Sequence, residues 1–207
     1  YYDILIIIKM IIEKISNCSK KGLAVALINL LVAIISKTDK YTSDITAYLF
    51  DNHDITNLYK AKLSAKLLDC DPYFDIAFRW LKEYLSHSNP ASVDTVRYEI
   101  ELSLINGTNN KINEYVVMNL SDNNDTLVEH MANIVKERKI NFAKNQLLHI
   151  LKNHKSPYVV RSTLDALAEI GSPNEIKEGI NYLKNRYEFI EENSFLKIHI
   201  GYAQLKL

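Results

Sequence analysis

The amino-acid sequence predicts an all-α protein built from antiparallel helix pairs. Three observations lead there. Each of the four prolines follows a residue that caps helices well. The apolar residues between them recur at helical spacing. A sequence pattern also returns at 32 and 64 residues. Only five glycines and four prolines are present, too few turn formers for a sandwich or barrel rich in hairpins.

The prolines stand in Asp71-Pro72, Asn89-Pro90, Ser156-Pro157 and Ser172-Pro173. Proline has no N–H and a φ fixed near −65°, so it suits the first helical position, where the N–H lacks a partner anyway. Asp, Asn or Ser just before it can accept from the free amides of the first turn. Ser172-Pro173-Asn174-Glu175 also carries Glu at the capping-box position. Every proline therefore reads as a helix start, and Asp71 as an N-cap. Gly107 and Gly171 fall where helices end and are expected in the left-handed conformation that glycine tolerates best.

In chain order, the first two helices are expected at 3–16 and 21–36, and both are strongly apolar. Lys9 and Glu13 interrupt the first. The second has 13 uncharged residues from Leu23 to Ile35, short of the ~20 needed to cross a bilayer. Further helices are expected at 42–51, 54–69, 73–87, 91–105, 111–119, 125–137, 140–152, 157–170, 174–190 and 193–206. Phe74, Phe78, Leu81 and Leu85 make one stripe in the fifth, and Ile176, Ile180, Leu183, Tyr187 and Ile190 another in the eleventh. The short connections suit antiparallel neighbours, and no linker separates domains, so 1–207 reads as one helical array.

Val96-Arg97 and Val160-Arg161 lie 64 residues apart, as do Gly107 and Gly171, and Val128-Glu129 falls midway between the Val pairs. Two-helix repeats of about 30–45 residues mark an α-solenoid. One pair cannot bury both of its apolar faces, so pairs stack and share a core. The segment SPYVVRSTLDALAEIGSP, from Ser156 to Pro173, resembles the first helix of a short HEAT repeat. The matching residues are Pro157, Val160, Arg161, Ala166, Leu167, Ile170, Gly171 and Pro173. Arg161 stands one residue closer to Ala166-Leu167 than the common pattern has it. A looser echo runs over 90–190. The resemblance implies a curved α-solenoid of about six antiparallel helix pairs, with an arginine bracing neighbouring repeats and the second helix of each pair lining a concave face.

Lys+Arg and Asp+Glu number 25 each, so the net charge is zero. A dedicated duplex binder carries a basic surplus to displace counterions, so a nucleic-acid-binding or DNA base-processing HEAT-like protein is the second reading, not the first. Cys18 and Cys70 fit no metal spacing and no disulfide framework, which points to a reduced, cytoplasmic setting. The chain starts at Tyr1 rather than Met and is expected to be a processed product or part of something longer. The apolar first helices are expected to be covered, by upstream chain, a partner or self-association.

No catalytic machinery is legible. The six histidines form no HExxH motif and no metal ligand set. Asp51-Asn52-His53-Asp54 reads as an interhelical loop with Asp54 as a cap. Cys70 lacks a basic neighbour to activate it. No Gly-rich phosphate loop and no G-x-S-x-G elbow occurs. No enzyme, cofactor or metal is expected, and the leading reading is a scaffold that binds a partner protein or peptide. The candidate contact residues are Tyr73, Arg79, Trp80, Lys82, Tyr84, Asn119, Asn181 and Lys184, on helices expected to line the concave face. Aromatic and Arg residues supply large rigid contact area with a polar tip. Asn and Lys suit a polar peptide better than a polyanion. Gln146, Asn113, Lys144 and Asn185 lie on the same expected face.

Overall fold

The computed structural model describes residues 2–18, 20–35, 56–90 and 94–207. Among these residues it is all-helical, with no strand. The helix expected at 42–51, and Asp51 to Asp54 with it, lie outside the described residues. The chain divides into two compact units: Tyr1–Leu85 with Ser92–Asn109, and Ser86–Ala91 with Asn110–Leu207.

In the first unit, α1 (Tyr2–Ser16) and α2 (Lys21–Ile35) pack together. They bury Ile8, Ile11, Ile12 and Ile15 on one side and Ala24, Ile28, Leu31 and Ile35 on the other. These sets recur at three- and four-residue steps, so each forms one helical stripe. Next, α3 (Asn57–Leu67) packs on α2 and on α5 (Thr95–Asn106). The Lys62 ammonium meets the Glu99 carboxylate across α3 and α5 at 2.7 Å. One carboxylate oxygen of Asp69 accepts from Thr108 N, Thr108 Oγ1 and Asn109 N at 2.8, 2.8 and 3.1 Å, joining the far ends of the two helices. A 3₁₀ turn, Asp71–Tyr73, leads into α4 (Phe74–Ser86), whose stripe of Phe74, Phe78, Leu81 and Leu85 is buried as its spacing requires.

The second unit holds α6 (Lys111–Met118), α7 (Asp125–Arg138), α8 (Lys144–Asn153), α9 (Pro157–Ile170), α10 (Pro173–Lys184), α11 (Tyr187–Glu192) and α12 (Leu196–Gln204). The most extensive helix contact joins α7 to α9, and α9 goes on to pack against α12. Beside that row, α8 packs on α10. Neighbours in sequence and next-but-one helices therefore share one core. Arg161 on α9 donates to Glu129 on α7, a buried carboxylate 32 residues earlier. His130, also buried, has Nε2 3.1 Å from the Ser88 carbonyl. A carbonyl can only accept, so the proton sits on that nitrogen. The bond fastens the segment before α5 into this unit's core.

Several expected details change. Pro157 and Pro173 do open helices, and Ser172 with Glu175 completes the capping box. Pro72 instead lies in the 3₁₀ turn, with Cys70 rather than Asp71 at the cap position. Pro90 sits in a turn, and α5 starts at Thr95, where the Asp94 carboxylate accepts from Val96 N at 2.8 Å. A carboxylate with a free first-turn amide in reach makes a better start than a proline alone. Gly107 and Gly171 are extended, with φ of −60° and −76°, and among the described residues it is Lys139 that is left-handed, φ 54°. Gly171 is needed for space: a Cβ there would lie 2.6 Å from the Leu167 carbonyl oxygen. The helix expected at 174–190 breaks at Asn185-Arg186, leaving Tyr187 68% exposed rather than on the buried stripe. The break turns the Arg186 guanidinium onto Leu151 O and His154 O, at 2.9 and 2.6 Å. It thereby satisfies carbonyls at the end of α8 that the helix leaves without partners.

Candidate functional site

Two grooves on the second unit, among the described residues, are lined with polar side chains. The first has a volume of about 670 Å³ and lies between the turn after α6, the outward side of α8 and the connection to α9. Leu120 and Ile150 contribute its apolar floor, while Asn123, Asn145, Gln146 and Asn153 line it with amides. Its position follows from the local sequence. A 3₁₀ turn at Asn119–Ser121 ends α6, and the Asn124 side chain caps α7 by accepting from Leu127 N at 2.9 Å. That cap holds Asn123 in the loop. On α8, Leu147, Ile150 and Leu151 face the core, so Asn145 and His149 face outward.

Two histidines complete this groove. The Ser156 amide donates to His154 Nδ1 at 3.2 Å, which leaves the neutral ring's proton on Nε2, 3.6 Å from the Asp125 carboxylate. Asn153 donates to the His149 carbonyl at 3.1 Å. Among the described residues, the side-chain amides of Asn123, Asn145 and Gln146 spend no hydrogen bond inside the protein. Arg186, stacked 4.0 Å over the Phe189 ring, fixes the carbonyls beneath. Burial lowers the pKa of its guanidinium below the ordinary arginine value.

The second groove, about 530 Å³, crosses α7, α9 and α12. Its polar groups are engaged with one another. His199 Nδ1 lies 2.8 Å from Asp165 Oδ1. The Tyr202 hydroxyl donates to Glu169, and Lys206 Nζ meets the same carboxylate at 2.7 Å. Those two hydrogen bonds, from Lys206 first and Tyr202 second, pull the Glu169 carboxyl below its usual range. The arrangement fastens α12 onto α9 and leaves little unspent for a ligand. The amide-lined groove is the better binding candidate.

The residues proposed from sequence fall in several places. Tyr73 is wholly buried: the 3₁₀ turn carries its ring into the core, so it offers no contact surface. Arg79 is exposed and Lys82 half-buried on α4. Trp80 and Tyr84 lie on the same helix with ring centroids 5.8 Å apart. Tyr84 also donates to Asp94 at 3.0 Å, and its hydroxyl pKa is raised, by burial first and that carboxylate second. These four belong to the first unit. In the second, Asn119 donates to the Tyr115 carbonyl at 2.6 Å, beside the amide groove. Asn181 and Lys184 are exposed on α10 and line neither groove. Of the neighbouring candidates, Gln146 lines the first groove, while Asn113 accepts from Arg138 and Lys144 pairs with Glu175.

Sequence reasoning missed Asn123, Asn145 and Asn153. The clusters Asn123-Asn124 and Asn145-Gln146, each beside a helix boundary, were the available signal. Burial and then the flanking Asp69 and Asp71 raise the Cys70 thiol pKa, which disfavours the nucleophilic thiolate. Among the described residues no three His, Cys, Asp or Glu side chains are placed to hold a metal, and no helix is long and apolar enough to cross a membrane. Comparison with protein families, curated proteins and solved structures finds no match to this chain.

Proposed function

We propose that the chain is a non-enzymatic, cytoplasmic α-solenoid of HEAT-like helix pairs whose amide-lined groove binds an extended segment of a partner protein. The observation that carries this reading is the set of unspent amides on Asn123, Asn145 and Gln146 above an apolar floor. Each amide offers two N–H donors and one carbonyl acceptor. A peptide backbone presents one donor and one acceptor per residue, so the match is direct. The volume falls within the roughly 300–1,000 Å³ of ligand-binding clefts. The polar lining includes a single lysine, Lys155, which does not suit a polyanion. The solenoid reading is supported by next-but-one helix packing and by Arg161 bracing Glu129 across 32 residues, the sequence period itself.

The test is affinity capture of partners by the tagged chain from its native cell extract, with and without nuclease, beside an Asn145→Leu/Gln146→Leu variant. The reading expects a stoichiometric protein that survives nuclease and is lost, at least tenfold, with the variant. Partners that vanish with nuclease would overturn it in favour of nucleic-acid binding. Capture unchanged by the variant would remove the groove from the account, and charge reversal at Lys82 and Lys184 would then locate the contact face.

A further inference from the structure

The amide-lined groove carries two aspartates, Asp122 and Asp125, against one lysine, Lys155. Asp122 is committed to the turn before α7, where its carboxylate accepts from Asn124 N at 3.0 Å. Asp125 opens α7, and its side chain is 61% exposed. A carboxylate in the first turn of a helix offsets the macrodipole, which accounts for its presence there. It does not supply a counter-ion. The base beside Asp125 is His154, whose Nε2 stands 3.6 Å away, beyond hydrogen-bond reach. That ring accepts the Ser156 N–H at Nδ1, so it is neutral and brings no charge. The Arg186 guanidinium also lies close, but it is held on the carbonyls of Leu151 and His154. Among the described residues no lysine or arginine pairs with Asp125, and Lys155 pairs with neither aspartate.

The groove therefore presents three kinds of group. The amides of Asn123, Asn145 and Gln146 answer the N–H and C=O groups of a peptide backbone. Every residue carries the same backbone groups, so the amides hold a segment without choosing among sequences. Leu120 and Ile150 form an apolar floor, which favours burial of any hydrocarbon. What distinguishes one side chain from another is the carboxylate of Asp125. Lysine and arginine fit both features at once. Their methylene stems cover apolar surface while the charged head stays at a solvent-exposed acid. Their remaining N–H donors, three on an ammonium and five on a guanidinium, find acceptors in the amide carbonyls along the groove.

We propose that Asp125 makes the groove selective for an extended segment that carries a lysine or an arginine. The proposal rests on the reading of the groove as a peptide-binding site and adds to it the chemistry of the partner.

The test measures fluorescence anisotropy of labelled, end-capped peptide pools with the whole chain at low salt. Each pool has one central residue fixed as Lys, Arg, Gln, Glu or Leu, with mixed neutral residues elsewhere. The Lys and Arg pools should bind about three- to fivefold tighter than the Gln pool, the range expected for one solvent-exposed ion pair. That advantage should shrink as salt is added. Asp125→Asn, isosteric and on an exposed position, should bring the Lys, Arg and Gln pools level, and Asp125→Glu should keep the preference. Circular dichroism checks that both variants fold. Pools that bind without regard to charge, and are lost with Asn145→Leu/Gln146→Leu, overturn the selectivity and leave the groove reading standing. A basic preference untouched by Asp125→Asn overturns it as well, and a Glu pool that binds tightest overturns it in favour of Lys155 as the selecting charge. Failure of every pool to bind overturns the groove reading itself, and the selectivity with it.

Discussion

Arg161→Leu tests the brace between α7 and α9. The Glu129 side chain is only 9% exposed, and its guanidinium partner on Arg161 is 30% exposed. Removing one partner of a fully buried pair costs about 3–5 kcal/mol, because the remaining charge is stranded. Here water reaches one side of the pair, so the expected cost falls to about 2–3 kcal/mol. For a unit of this size that lowers the melting temperature by about 8–15 °C. Glu129→Leu should cost less, about 1 kcal/mol, since the half-exposed arginine can turn to solvent. The double variant, with two apolar residues between packed helices, should recover most of the loss, giving a coupling of about 2 kcal/mol. Urea denaturation of the four proteins measures all these quantities. Additive costs in the double variant would refute the brace, as would an Arg161→Leu effect below about 0.5 kcal/mol, the ordinary range for surface changes.

Three further outcomes are expected. Gly179→Ala places a Cβ 2.7 Å from Leu167 Cδ2 and 2.8 Å from Leu151 Cδ1, so overpacking should outweigh the gain in helix propensity and destabilise by about 1 kcal/mol in thermal melts. Arg186→Ala should cost about 1–3 kcal/mol by stranding the carbonyls of Leu151 and His154, and Arg186→Lys should recover less than half of it, because lysine lacks the planar fork. The Glu169 carboxyl is held below its ordinary value of 4.5 by Lys206 and Tyr202, so its contribution to docking α12 is fully present above that pH and is lost as pH falls through the lower folded value. NMR signals of α12 should broaden as the pH falls below that ordinary carboxyl value and through the lower folded one, and Glu169→Gln should remove that dependence.

What the sequence made legible was what depends on neighbours along the chain. The Phe74-to-Leu85 stripe, the capping box at Ser172 and the Pro157 helix start are local patterns, and all stand in the structure. What it hid depends on residues far apart. The eleventh helix shows unbroken apolar spacing through Ile190, yet it ends at Lys184 because Arg186 finds better acceptors on α8 than along its own helix. Pro90 and Asp94 compete to start α5, and only the geometry at Val96 N shows that the carboxylate prevails. The candidate contact residues were chosen for type rather than exposure, so a buried Tyr73 stood beside an exposed Arg79. The groove amides needed the fold, since Asn123 and Asn145 come together only through the turn after α6 and its approach to α8.

The 32-residue period separates the side chains that hold the second unit together from those left over. Along the row α7, α9, α12, polar residues on successive helices pair at nearly constant offsets. Glu129 meets Arg161 at 32 residues, Glu169 meets Tyr202 at 33, and Asp165 meets His199 at 34. A repeat that sets such partners against each other consumes their hydrogen-bonding capacity in stacking. On α8 the outward positions are Asn145, Gln146 and His149, and the first two have no such partner. Substitutions along the row should therefore change stability, while substitutions at Asn145 and Gln146 should change binding alone. The two classes are separable by measuring melting temperature and partner capture on the same variants. An Asn145→Leu/Gln146→Leu protein that melts like the wild type but loses its partner is the outcome this division requires.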